Sequence, residues 1–81
     1  MLLFLTLACA EVAQTDACAR YVACIQAKDG VAGTTTDVVR FQPEGECWGT
    51  PAGADLCDRS CVNGLAFERA RTADAPAECA E

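Results

Sequence analysis

Residues 16–28 read DACARYVACIQAK, a run of mostly helix-favouring residues that carries Cys18 and Cys24. The first residue of the run is an aspartate, a favoured N-cap, and the pair 29–30, Asp-Gly, is a stop signal, so we predict a helix between them. At 100° per residue, the two cysteines lie within an arc of about 120° that is centred near Tyr21. We therefore expect this helix to bury one face that is flanked by both cysteines.

A second helix is predicted to begin with Thr50 as N-cap and Pro51 at the first helical position, and to end at Arg69 or Arg71. The pair 63–64, Asn-Gly, is also a turn signal and could split the helix in two. Three residues recur every fourth position and share one face: Cys57, Cys61 and Leu65.

The loop between the helices, residues 30–45, encloses the stretch TTTDVVRF at 34–41. Its β-branched residues favour a strand, whereas a capping pattern that begins at Thr34 favours a short helix. We prefer the helix, because no second strand signal supplies a partner. Residues 73–81 are predicted to form a tail that is pinned by Cys79.

The chain has seven cysteines in 81 residues. Cys9 ends an apolar leader, and the other six lie in the polar remainder: Cys18, Cys24, Cys47, Cys57, Cys61 and Cys79. An even set in a short exported chain predicts three disulfides. Zinc is disfavoured because the chain has no histidine and no Cys-x2-Cys pair, and a reactive dithiol is disfavoured because Cys57-x3-Cys61 lies within a helix near two aspartates.

A pairing scheme follows if the two helices are antiparallel. The expected nested pairs are Cys18–Cys61, Cys24–Cys57 and Cys47–Cys79, and an alternative set joins Cys24 to Cys47 and Cys57 to Cys79. The predicted fold is therefore mainly α: a small disulfide-stapled helical hairpin with a long inter-helix loop and a pinned C-terminal tail.

The leader, residues 1–8, is apolar and too short to cross a bilayer as a helix. It lacks a basic n-region, so either the true start lies upstream or the leader is atypical. The sequence LTLAC at 5–9 resembles a bacterial lipobox, in which the cysteine is lipidated and becomes the new N-terminus. A rival cut by ordinary signal peptidase after Ala10 is also consistent with the sequence. We predict three segments: a signal segment (1–8), a polar tether (9–15) and a stapled domain (16–81).

The spacing of these residues resembles that of short cysteine-rich bacterial lipoproteins whose activity is not characterised. The matching features are Cys18-x2-Tyr21-x2-Cys24, Gly45-Glu46-Cys47-Trp48, Cys57-x3-Cys61, and Cys79 after a proline. The resemblance implies a cellular address and a fold rather than an activity. By the same resemblance, Ala10 after the lipidated Cys9 favours the outer membrane, with secretion as the alternative.

The composition of the chain limits the kinds of function that we expect of it. The formal net charge is −6, so the surface repels phosphate backbones and nucleic acid is not an expected partner. Ser60 is the only serine and has no histidine base, while Asp55 and Asp58 fit helix N-terminal charges better than an acid/base pair. Trp48, next to a cysteine, is expected to pack over a disulfide.

We therefore expect a non-catalytic envelope scaffold with a binding or structural role, which binds no metal and no cofactor and is attached to the membrane through a lipid on Cys9. Its protein partner, if there is one, is unknown. The alternatives are a secreted inhibitor or toxin-like effector and a thiol-redox or metal-handling protein.

Overall fold

The computed structural model describes residues 12–71 and 75–80, and in these two ranges the chain is mainly helical and contains no strand. Helix α1 spans Asp16–Ala32 and helix α2 spans Pro51–Arg71. Three short 3₁₀ turns complete the described structure: Val39–Phe41, Glu46–Gly49 and Ala77–Cys79. The prediction of a small, mainly helical, disulfide-stapled fold is thus confirmed.

Helix α1 is longer at its C-terminal end than the sequence predicted. Its N-cap is Thr15, whose hydroxyl accepts the Cys18 N–H at 3.4 Å, so Asp16 is the first helical residue rather than the cap. The helix continues through the Asp-Gly pair at 29–30 to Ala32 and is capped by Gly33, which has a φ of 75°. Glycine adopts this left-handed conformation at little cost, which makes Gly33 the actual stop.

The loop after α1 is held by the Asp29 carboxylate. It accepts the Thr34 hydroxyl at 2.9 Å, the Thr36 N–H at 2.7 Å and the Thr36 hydroxyl at 2.9 Å. The threonine run is therefore used in a clamp on the helix end and does not begin a helix. Only Val39–Phe41 forms a 3₁₀ turn, so the short helix predicted over 34–41 is reduced to one turn at its end.

Helix α2 begins as predicted and runs without a break. The Thr50 hydroxyl accepts the Gly53 N–H at 3.1 Å, and Pro51 is the first helical residue. The turn signal at 63–64 does not split the helix. A Cβ on Gly64 would lie 2.5 Å from Cε1 of Tyr21, so this glycine allows the two helices to approach closely.

The two helices run in the same direction. Contacts between them occur in the same order along both chains: Cys18 with Cys61, Tyr21 with Gly64, and Lys28 with Glu68. The antiparallel arrangement predicted from the sequence is therefore wrong. Residues 33–50 lead the chain from the end of α1 back to the start of the pair, with Val38 packed on the buried side of α1.

The relative direction of the helices explains the disulfide pairing. The bonds are Cys18–Cys61, Cys24–Cys79 and Cys47–Cys57, with Cα–Cα distances of 5.0, 4.5 and 5.9 Å. The predicted Cys18–Cys61 bond is confirmed, whereas Cys24–Cys57, Cys47–Cys79 and the alternative set are wrong. In a same-direction pair, Cys24 and Cys57 lie on opposite sides of the Cys18–Cys61 bond. Cys24 thus meets the returning tail, and Cys57 meets the turn that precedes its own helix.

Candidate functional site

The six cysteines of the described residues form the centre of the molecule. Cys18, Cys24, Cys61 and Cys79 are fully buried, while Cys47 and Cys57 are 2% and 9% exposed. The three bonds join α1 to α2, α1 to the C-terminal turn, and α2 to the turn before it. These side chains therefore have a structural role, and the predicted participation of all six in disulfides agrees with the structure. Cys9, the predicted lipidation site, lies outside the described residues.

Trp48 packs over this disulfide core, as the sequence predicted. Its side chain is only 4% exposed and belongs to a cluster with Cys18, Cys47, Cys57 and other residues of the core. The indole N–H donates to the Gln42 carbonyl at 2.9 Å, so the polar atom of the ring is satisfied. Trp48 is therefore part of the core and is not an exposed binding anchor.

The segment before α1 is attached to the same region. The Val12 N–H donates to the Trp48 carbonyl at 2.9 Å, and the Gln14 side-chain amide donates to the Phe41 carbonyl at 2.8 Å. Val12 also packs against the disulfide cluster. Both residues fall in the segment assigned to the tether (9–15), so the part of that segment from Val12 onward contacts the domain.

A shallow cavity of about 140 Å³ opens beside this attachment. We call its lining the Trp48 face, which consists of Val12, Pro43, Glu44, Gly45, Trp48 and Gly49. A wider depression of about 500 Å³ adjoins it and shares Glu44 and Gly45. The rest of that depression is mostly charged, and includes an ion pair between Arg40 and Glu46 at 3.8 Å.

Gly45 shapes both cavities. A Cβ at this position would collide with the Arg40 and Val39 carbonyl oxygens, so only glycine allows the 3₁₀ turn at Val39–Phe41 to lie so close to the next turn. In the sequence, Gly45 stands out only as part of a spacing pattern, which gives no sign of this packing role.

A partly buried ion pair joins the C-terminal halves of the two helices. The Lys28 ammonium contacts the Glu68 carboxylate, and the two side chains are only 26% and 10% exposed. A glutamate on a helix is expected at the surface, but Glu68 is only 7% exposed overall. The signal was present in the spacing: Glu68 follows Leu65 and Cys61 at helical intervals of three and seven, on the buried face of α2.

The Asp29 carboxylate at the end of α1 has a lowered pKa. Partial desolvation raises the pKa of the Asp29 carboxyl, but hydrogen bonds from Thr36 and Thr34 and the charge of Lys28 lower it, and the net pKa lies below the ordinary value. These contacts fix a loop, and they do not form a reactive site.

The residues considered for catalysis and metal binding are not assembled into a site. Ser60 is exposed on α2, and Asp55 is paired with Arg59 at 2.8 Å in an i,i+4 ion pair. Within residues 12–71 and 75–80, no group of three or more cysteine, aspartate or glutamate side chains is placed to hold a metal ion.

Comparisons with known proteins identify no relative: no protein-family model, curated protein or solved structure matches the chain significantly. Among the described helices, none has the length and apolar character needed to cross a membrane.

Proposed function

We propose that the protein is an exported, lipid-anchored scaffold of the bacterial cell envelope, with a binding or structural role rather than a catalytic one. The observation that carries the proposal is the core of three disulfides, built from six cysteines that are each at most 9% exposed. Bonds of this kind form and persist in oxidising compartments, which supports export.

The leader supports the anchor. Residues 1–8 are apolar and are followed by Cys9 in the lipobox-like sequence LTLAC. The six cysteines of the described domain are paired with one another, so none of them is left to bond Cys9, the remaining cysteine of the chain. A cysteine left over at the end of the leader suits acylation.

The chemistry of the chain supports a role without catalysis. It has no histidine and a single serine, and its six core cysteines are held in bonds and cannot supply thiolates. The thiol-redox or metal-handling alternative would require at least one of these bonds to open. The remaining functional surface is the outside of a rigid domain.

A secreted inhibitor or toxin-like effector is the second candidate. The observation in its favour is the small-x-small pattern formed by Ala8 and Ala10, which ordinary signal peptidase could cleave. Both candidates use the same stapled domain, so they differ in the N-terminus of the mature protein.

The test is the intact mass and membrane partition of protein purified from a bacterial host that expresses the whole sequence. We expect an N-terminus at Cys9 with attached acyl chains, recovery in the membrane fraction, and a gain of six hydrogens on reduction of the three disulfides. A mature N-terminus at Glu11 would favour the secreted alternative, and an unprocessed leader would contradict both.

Cys9→Ala is the matched control. It removes the lipidated thiol but preserves the small residues around the rival cut and all six core cysteines. We expect this variant to lose membrane retention and to keep its three disulfides. Retention of the variant in the membrane fraction would contradict the anchor.

A further inference from the structure

We infer that the Trp48 face is the membrane-proximal side of the domain, held against phospholipid headgroups by the lipid on Cys9; this inference rests on the proposed function. A lipid surface then covers the cavity beside Trp48 and the point where the chain enters the domain, two features that the scaffold role alone does not explain.

The chain before α1 is attached to the domain at Val12. The Val12 N–H is bonded to the Trp48 carbonyl at 2.9 Å, and its side chain both lines the Trp48 face and packs against the disulfide cluster. Gln14 adds a second attachment, to the Phe41 carbonyl. The direction from which the chain enters the domain is thus fixed by three contacts rather than by a flexible linker.

The part of the tether that precedes Val12 is short. Only Ala10 and Glu11 separate Cys9 from Val12. Consecutive Cα atoms are 3.8 Å apart, so the Cα of Cys9 lies at most about 11 Å from that of Val12, whatever the conformation between them. A lipid on Cys9 therefore brings the Trp48 face close to the bilayer surface.

The far end of α1 gives a point of comparison for the Trp48 face. Helix α1 starts four residues after Val12, and Val31 lies near its far end, about 22 Å along the axis from Asp16. Val31 is 87% exposed and makes a suitable site for a distal probe. A domain held by the Trp48 face places this position well away from the headgroups.

The charge of the surface decides how the contact is maintained. Glu44 lines the Trp48 face, and Asp37 and Glu46 line the adjoining depression against a single arginine, Arg40. This surface does not attract anionic headgroups. Contact with the membrane therefore depends on the acyl chains, and the protein is expected to bind neither neutral nor anionic vesicles without them.

The experiment uses the natural tryptophan. Trp48 is the only tryptophan in the chain, so its fluorescence reports on this face without a label. The processed lipoprotein is placed in phosphatidylcholine vesicles in which a minor fraction of the lipid carries a nitroxide quencher on the headgroup. The distal comparison is the double variant Trp48→Phe with Val31→Trp, checked for native helix content by circular dichroism.

We expect the fluorescence of Trp48 to be quenched at least about twofold more strongly than that of the distal probe. The reason is distance, because the tether between Cys9 and Val12 is at most about half as long as α1, which separates the two probes. A second variant leaves Trp48 and the core unchanged: about ten Gly/Ser residues inserted between Ala10 and Glu11 add roughly 16–19 Å of flexible tether. Quenching of Trp48 should fall in this variant.

Equal quenching at the two positions, stronger quenching at the distal probe, or no effect of the insertion would overturn the inference. The intact mass of the same sample separates this failure from failure of the proposed function. If Cys9 carries no lipid, the anchor and the inference fail together; if it does and the quenching pattern is reversed, only the inference fails.

Discussion

Gly64 and Gly30 both lie inside helices, but they differ in what surrounds them. A Cβ on Gly64 would lie 2.5 Å from Tyr21, whereas a Cβ on Gly30 would have nothing within 4 Å. We expect Gly64→Ala to lower the free energy of unfolding by about 1–3 kcal/mol, because overpacking outweighs the better helix propensity of alanine.

Gly30→Ala is the matched control, and we expect it to raise the free energy of unfolding by about 0.5–1 kcal/mol through propensity alone. Guanidinium unfolding of the oxidised proteins, followed by circular dichroism, measures both. Stabilisation by both substitutions would show that the Tyr21–Gly64 contact is not tight.

The Lys28–Glu68 pair gives a second prediction for single residues. Glu68→Gln removes the partner of a lysine whose side chain is only 26% exposed. We expect the free energy of unfolding to fall by about 1–3 kcal/mol, less than for a fully buried pair because some water still reaches the ammonium. Glu44→Gln makes the same chemical change at an exposed site, and we expect less than about 0.5 kcal/mol.

Thermal unfolding of the two glutamine variants at neutral pH provides the comparison. Equal losses would mean that the partly buried pair contributes no more than a surface charge. A double variant with Lys28→Met should recover part of the loss, since it removes the ammonium that Glu68→Gln leaves without a counter-charge.

At the scale of elements, the end of α1 depends on the ionised form of Asp29. Its pKa in the folded protein is below the ordinary value, so the unfolded chain binds the proton more tightly. The stabilisation of the loop is therefore complete above about pH 4, the unfolded pKa, and is lost as the pH falls through the folded pKa.

An NMR titration measures this directly. The Asp29 carboxyl should titrate below the ordinary value of about 3.9, and the Thr36 amide should shift with the same midpoint. Asp29→Asn should abolish the shift of that amide. A midpoint at or above the ordinary value would contradict the clamp.

The sequence predicted some elements because their signals are local. The Thr50-Pro51 start of α2 needs only the chain around it, and it was predicted correctly. The sequence did not predict the extension of α1 beyond Gly30, because its nearer stop signal, Asp-Gly, is weaker than the left-handed Gly33. The Asp29 side chain accepts hydrogen bonds from the threonines that follow and does not end the helix. Local sequence patterns do not show which of two such stop signals ends the helix.

The direction of the helices was missed for a different reason. Residues 33–50 can span roughly 60 Å when extended, more than twice the roughly 25 Å length of α1, so the loop permits either direction. The direction is a tertiary feature, visible in the close contact of Tyr21 with Gly64 and in the pairing of Lys28 with Glu68. Once the direction was wrong, two of the three predicted bonds were wrong with it.

On the scale of the whole molecule, the disulfides join parts that also pack against one another. Cys24–Cys79 closes a separation of 55 residues and Cys47–Cys57 one of 10. In the chain-entropy description, the longer closure stabilises by about 4 kcal/mol and the shorter by about 2.7 kcal/mol. A domain of this size needs such bonds, because its apolar core alone gives marginal stability.

Paired alanine substitution compares the two closures. We expect loss of Cys24–Cys79 to free the C-terminal turn to proteolysis while α1 and α2 stay joined by Cys18–Cys61. Loss of Cys47–Cys57 should instead expose Trp48, which is seen as increased quenching by acrylamide. The same response in both variants would show that the bonds do not act on separate parts of the molecule.

The disulfide map is the measurement that bears most directly on the stapled scaffold. Trypsin cuts after Arg20, Lys28, Arg40, Arg59, Arg69 and Arg71, and so distributes the six core cysteines of the oxidised protein over five peptides, of which only 41–59 carries two. We expect the peptide ending at Arg20 to be joined to 60–69, the peptide 21–28 to be joined to 72–81, and the peptide 41–59 to carry an internal bond. A single species that joins 21–28, 41–59 and 72–81, or free thiols in any of these peptides, would contradict this pairing.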